Sequence, residues 1–347
     1  MDYSKYINAQ LQSIPPSGIR KFFDVVNEMP DAISLGVGEP DFVTPWDIRD
    51  AGIKSLQRGY TQYTSNRGLP QLLDNIAAYL SGRFGLQYDA GAEILVTVGA
   101  SEAIDLAFRA FLNEGDEVLL PTPSFVAYSP LVKMTGGAAI EIPGRKEDGF
   151  RLTPADLEAA VTPRSKILLL PFPNNPTGAI MEKRDLEGLL PIIEKHGLLV
   201  ISDEIYAELT YGGRHVSIAS LPGMRGRTVV LNGFSKAFAM TGWRIGYAAG
   251  PRGLIAPMLK LHQYAIMCAP SAAQYAAAAA LSGGRQDGYA VVAEMRNEYD
   301  KRRRFLVKSF NDMGLTCFEP KGAFYAFPDV SSAGMDGTAF AEKLLYA

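Results

Sequence analysis

N-G-F-S-K-A-F-A-M-T-G-W-R-I-G-Y, residues 232–247, holds one lysine, Lys236, among small and apolar neighbours, and one arginine, Arg244, eight positions on. A lysine in such surroundings loses its proton near neutral pH, because desolvation disfavours the ammonium form. The neutral amine is the nucleophile that Schiff-base chemistry with an aldehyde requires. Arginine presents a planar fork that clamps phosphate. An aldehyde partner for Lys236 and a phosphate partner for Arg244 together suggest pyridoxal phosphate. Taken without their context, the two residues read as simply as a surface lysine on a helix and a structural arginine.

The context decides between them. S-K-A-F-A-M-T-G-W-R-I-G-Y resembles the cofactor-lysine segment of the class I/II aminotransferases, the family with the aspartate aminotransferase fold. The resemblance runs in order along nearly the whole chain: G-V-G-E-P-D-F at 36–42, Y-T-Q-Y at 60–63, V-G-A-S-E-A-I at 98–104, P-T-P-S-F at 121–125, N-N-P-T-G at 174–178, S-D-E-I-Y at 202–206 and P-K-G-A-F-Y at 320–325. It implies an α/β chain of the pyridoxal-phosphate transferase fold, with a mostly parallel seven-stranded sheet in a large domain and a smaller α+β domain. The corresponding division is an N-terminal arm and part of the small domain over 1–45, the large cofactor-binding domain over 46–285 and the small C-terminal domain over 286–347.

Composition narrows the alternatives. The chain has 347 residues and a formal net charge of -3, which offers no electrostatic case for nucleic acid or an anionic membrane. Its two cysteines, Cys268 and Cys317, are far apart and in no metal-ligand spacing, which suits a reducing compartment; no metal is expected. The three histidines, His196, His215 and His262, are scattered, and none reads as catalytic. No signal-peptide shape opens the sequence and no apolar run approaches the ~20 residues of a membrane span, so a cytoplasmic protein is expected.

From residue 93 onward the pattern alternates strand and helix, the signature of an α/β sheet. Before it, Pro15 and Pro16 make the start of the chain an arm, with a short amphipathic stretch over 19–27, a strand-like 33–35 and a helix over 47–58. The spacing then predicts strands at 94–98, 117–120, 138–142, 166–170, 198–202, 228–231 and 245–249. Helices are expected over 99–112, 154–161 and 182–196, through 252–281, and over 289–312 as the link into the small domain. Short strands are expected at 315–318 and 323–327. Thr153 before Pro154 is a helix start signal. A strand running through Gly99, Ala100 and Ser101 into a helix makes an anion site of free N–H groups, although Ser101 reads equally as an N-cap. Asp203 ends a buried strand, where α/β sheets place ligands, and a helix N-cap is its plainer reading.

The resemblance supplies roles residue by residue. It implies that Lys236 holds pyridoxal 5'-phosphate as a Schiff base and moves protons as general base and acid. Asp203 would pair with the pyridine nitrogen, Asn175 and Tyr206 with the phenolic oxygen, and Phe125 would stack on the ring. Gly99, Ala100, Ser101, Ser235 and Arg244 would take the phosphate, and Tyr63 would reach the phosphate of a neighbouring subunit in a homodimer. Gly38 would meet the substrate carboxylate through its main chain, with Asn175 beside it. The reaction implied is transfer of an amino group from an L-amino acid (aspartate, aromatic or related) to a 2-oxo acid. A C–S β-lyase of the same fold and a non-catalytic sensor domain remain alternatives.

Two departures from the family pattern stand out. Gly233 lies three residues before the lysine, where a serine or threonine is usual, leaving Ser235 as the available hydroxyl. The chain also stops at Ala347 in a helix-like F-A-E-K-L-L-Y-A, short of the family's arginine for the substrate α-carboxylate, so a missing C-terminal end and weakened substrate capture are expected.

Overall fold

The computed structural model describes residues 3–15 and 38–347. The expected amphipathic stretch at 19–27, the strand at 33–35 and the first two residues of G-V-G-E-P-D-F lie outside the described residues. In chain order the strands are β1 (Ile94–Thr97), β2 (Glu117–Thr122), β3 (Ala138–Pro143), β4 (Ser165–Pro171), β5 (Leu199–Asp203), β6 (Thr228–Gly233) and β7 (Gly246–Ala249). The α-helices are α1 (Ala9–Gln12), α2 (Trp46–Gln57), α3 (Pro70–Phe84), α4 (Gly99–Phe111), α5 (Tyr128–Met134), α6 (Pro154–Ala160), α7 (Lys183–Lys195), α8 (Arg252–Ala265), α9 (Ser271–Asp287), α10 (Ala290–Asp312) and α11 (Gly337–Leu345).

The strands form one seven-stranded sheet in the order β1-β7-β6-β5-β4-β2-β3. β7 runs antiparallel to both of its neighbours; the other four pairings are parallel. The central strands β4, β5 and β6 are near-continuous apolar runs buried along their length, as strands covered on both faces must be. Side chains alternate between the faces. Ile167, Leu169, Ile201 and Val229 join the helix residues Ala103, Ala107 and Phe108, whereas Leu168, Leu170 and Val200 pack with Leu186 and Leu189. On that second side, Leu72, Ile76 and Leu80 of α3 cover Val96 and Val230. Each fully buried leucine or isoleucine contributes about 1.5–3 kcal/mol.

Local signals explain most of the boundaries. Pro70 and Pro154 begin their helices at the first-turn position that needs no N–H, and Thr153 Oγ1 accepts the Asp156 N–H at 3.2 Å. Two expectations need correction. The helical stretch 252–281 is two helices, α8 and α9, separated by residues 266–270; Pro270 disfavours helical geometry at the residue before it. The expected strands at 315–318 and 323–327 do not form. Cys317 and Gly322 make only isolated bridges, to Pro328 and Thr210. Proline at 320 and 328 lacks the N–H that a ladder requires.

The parallel strands β2, β4, β5 and β6 all end at one edge of the sheet, with Thr122, Pro171, Asp203 and Gly233. Ligands in open α/β sheets bind outside this carboxyl edge.

Candidate active site

A cleft of about 670 Å³ opens at that edge. Its floor is Asp203, the last residue of β5. The chain does not continue into a helix there, so Asp203 is not a helix N-cap. Its Oδ1 accepts the Ile205 N–H at 3.1 Å and its Oδ2 accepts the Tyr128 hydroxyl at 2.8 Å. Burial raises the Asp203 pKa, and the Tyr128 and Ile205 donors oppose that rise. An ion so placed loses several kcal/mol of hydration, and a cation entering the cleft would offset that loss.

Lys236 enters from the turn after β6. Its Nζ donates to the Gly38 carbonyl at 2.6 Å and lies 5.6 Å from the Phe324 ring and 5.8 Å from the Tyr206 ring. Desolvation lowers its pKa to about 8; Arg244 pushes the same way, while Glu39 and Asp203 oppose. The amine is therefore available as a nucleophile at mildly basic pH.

The first turn of α4 forms another wall. Val98 occupies the N-cap position, so Ser101 is the third residue of the helix rather than its cap. Ala100 and Ser101 line the cleft, at a helix end whose N–H groups have no partner within the helix. Gly99 adopts φ +75, and a Cβ there would lie 2.9 Å from an Arg244 guanidinium nitrogen. Arg244, itself at φ 51, donates to the Thr241 carbonyl at 2.9 Å and lines the cleft beside that turn. Helix end and guanidinium together offer N–H donors and positive charge to an anion.

The two asparagines at 174 and 175 divide their work. Asn174 holds the turn together, accepting from the Thr177 N–H and hydroxyl and donating to the Pro123 carbonyl. Asn175 lines the cleft. Phe125, Ser235 and Tyr206 line it too, and the Tyr206 hydroxyl meets that of Tyr325 at 2.6 Å. Gly38 is packed so tightly that a Cβ would lie 2.3 Å from the Tyr325 hydroxyl. Of the residues expected from the sequence, Gly38, Ala100, Ser101, Phe125, Asn175, Asp203, Tyr206, Ser235, Lys236 and Arg244 meet in this cleft. Gly99 lies against it through Arg244. Tyr63 does not line it; its side chain is 80 % exposed elsewhere on the surface.

The model of the aminotransferase class I and II family matches residues 30–347. The chain belongs to this family. The aminotransferase is 52% identical to the putative aminotransferase YugH of Bacillus subtilis (strain 168), over 99% of this chain and 88% of the relative. It is 45% identical to an aspartate aminotransferase of Pyrococcus abyssi (strain GE5 / Orsay), over 97% and 86%. Among solved structures, the aspartate aminotransferase from Thermus thermophilus with maleate superposes with a TM-score of 0.93 at 36% identity, over 98% of this chain and 89% of that one. A Pyrococcus protein named A1 superposes at 0.94 with 45% identity, over 97% and 87%. The chain is thus a transaminase of the pyridoxal-phosphate-dependent kind, with the fold expected from its sequence.

The aminotransferase cleft fits that cofactor on its own chemistry. It offers a desolvated amine for an aldehyde, a buried carboxylate for a ring N–H, and a helix end with arginine for a phosphate. Gly233 explains one departure. A Cβ there would lie 3.1 Å from both the Gly246 Cα and the Ile245 carbonyl oxygen, so the backbone entering β7 would have to give by a few tenths of an ångström to admit a side chain at this position. Tyr128 and Tyr325 were not among the expected site residues. Tyr325 falls inside a quoted motif without an assigned role, and Tyr128 belongs to none. Among the described residues no acidic, histidine and cysteine cluster suits a metal ion.

Proposed function

We propose that the chain acts as a homodimer, moving the amino group of an L-amino acid of the aspartate, aromatic or related kind to a 2-oxo acid. The names of its relatives support the substrate class. The observation that carries the mechanism is Lys236, a largely desolvated amine facing a cleft with a buried carboxylate at its floor.

Pyridoxal phosphate, when bound, supplies an aldehyde that takes up amino groups and a ring that draws an electron pair from the substrate α-carbon. Lys236 would anchor it, then give way to the substrate amine. Its Nζ, once free, would act as base and then acid in a 1,3-proton shift, from the substrate α-carbon to the former aldehyde carbon across the nitrogen. Asp203, braced by Tyr128, would hold the ring nitrogen protonated. Asn175 and Tyr206 would bind the phenolic oxygen, and Phe125 would cover the ring. Gly99, Ala100, Ser101, Ser235 and Arg244 would hold the phosphate, joined by Tyr63 from the neighbouring subunit. The Gly38 main chain would meet the substrate carboxylate. These cofactor-holding residues all fall within 46–285, which we take as the large domain; Gly38 from 1–45 and Tyr325 from 286–347 close the cleft. The two cysteines are unpaired thiols, which suits a cytoplasmic protein, and no described helix is long and apolar enough to cross a membrane.

The test uses the purified chain loaded with pyridoxal phosphate. Borohydride should fix the cofactor to Lys236, as read by peptide mass. Aspartate or phenylalanine, added without an oxo acid, should abolish that fixation by leaving the cofactor aminated. Lys236→Ala should lose turnover altogether. Fixation at another lysine, or near-normal rates in Lys236→Ala, would refute the mechanism.

A further inference from the structure

The first turn of α4 is held by two side chains that do not line the cleft. Glu102 folds back along its own helix. Its Oε2 accepts the main-chain N–H of Val98, the N-cap residue, at 2.5 Å, and its Oε1 lies 2.8 Å from Nδ1 of His262. His262 sits near the end of α8 and is fully buried. A carboxylate only accepts, so Nδ1 is the donor; Nε2 has no hydrogen-bond partner among the described residues. The contact matters because the bend it spans is sharp. Val98 has φ −76 and ψ 68, Gly99 has φ +75, and no side chain caps the helix. A hydroxyl or carboxamide at the N-cap would ordinarily fix such an entry. Valine cannot, and Glu102 ties down the N-cap residue from inside the helix, one position beyond the usual capping-box residue.

We propose that Glu102 and His262 are positioning residues for the phosphate end of the cofactor: Glu102 fixes the bend that aims the Gly99–Ser101 N–H groups into the cleft, and His262 fixes Glu102. This rests on the reading that α4 and Arg244 hold the phosphate. The pair acts on phosphate recognition alone, so it distinguishes pyridoxal phosphate from pyridoxal, which lacks that group.

The experiment compares dissociation constants of the two ligands for the apoprotein, by quenching of intrinsic fluorescence, in wild type, Glu102→Ala, Glu102→Gln, His262→Gln and Arg244→Gln. Loss of a hydrogen bond to a charged group predicts that Glu102→Ala weakens pyridoxal phosphate by about 10-fold or more while pyridoxal binds as before. Glu102→Gln, whose amide oxygen still accepts from Val98, should restore most of that affinity. His262→Gln should show a smaller loss of the same phosphate-selective kind, and it carries the comparison if Glu102→Ala does not fold. Equal losses for both ligands, or no loss for pyridoxal phosphate, overturn the inference. If Arg244→Gln discriminates between the ligands and the Glu102 and His262 variants do not, the inference alone falls. If no variant discriminates, the phosphate assignment falls and the inference with it.

Discussion

Lys236 is poised between burial, which strips its proton, and the Gly38 carbonyl, which offers the ammonium form a partner. Burial prevails, leaving the amine half-neutral at about pH 8. The apoprotein should therefore capture pyridoxal phosphate at a rate that climbs with pH and levels off above about 8; a flat profile between pH 7 and 9 would contradict the assignment. The sign for stability follows from the same shift. The folded value lies below the 10.5 of a free lysine, so folding carries a penalty while the amine is charged, and that penalty is relieved as pH rises from about 8 towards 10.5. That Lys236 would share one cleft with Asp203, Asn175 and Arg244 was legible in the sequence. Lys236, Asp203, Asn175 and Arg244 each stand inside a stretch whose neighbours are equally diagnostic. Tyr128 was not legible, since its hydrogen bond to Asp203 joins residues 75 positions apart and leaves no local pattern.

At the scale of elements, β7 governs how near the backbone of the α4 turn comes to the sheet. Gly246 pairs with Gly233 across β6 and β7, and a Cβ on Gly246 would lie 2.7 Å from the Ala100 nitrogen and the Gly99 carbonyl carbon. Those are backbone atoms that cannot rotate aside. Gly246→Ala should thus destabilise the chain by about 1–3 kcal/mol, read as a lower urea midpoint; an unchanged midpoint would mean that the turn shifts freely. The glycines of G-W-R-I-G-Y were visible in the sequence as part of a motif, but the reason for Gly246 was not, because the contact is with a different element. The break between α8 and α9 had a visible cause in Pro270, masked by the alanine run that follows. Residues 315–318 and 323–327 are apolar enough for two short strands, yet Pro320 and the tight packing of Gly322, whose Cβ would lie 2.5 Å from Pro173, leave room for single bridges only.

For the whole molecule, the exposed Tyr63 makes a separate demand. If it serves the neighbouring subunit's cofactor phosphate, two defective chains should complement each other. A mixed dimer of Tyr63→Ala with Lys236→Ala contains one cleft with its own Lys236 and its neighbour's Tyr63 intact. Activity well above that of either variant alone is the expected result, measured after co-expression with two purification tags. No recovery would place Tyr63 outside the site. The positions of the strands follow from apolar runs of the right length and the mostly parallel seven-stranded sheet from the family resemblance, so that much of the architecture was open to a reader of the sequence; the order of the strands and the antiparallel β7 were not.

The cleft draws its parts from two kinds of ground. Asp203 terminates a strand buried on both sides and Lys236 follows another within three residues, so the groups proposed to do chemistry are anchored at the buried centre of the sheet. Ser124, Val126 and Thr241 line the same cleft from turns and loops, with no part assigned in holding the cofactor. Mutation can therefore reshape the entrance without disturbing the anchored groups. A lineage built this way can try new substrates while its reaction stays constant, and a protein engineer seeking a different amino acid should randomise the loops and leave the strand ends alone.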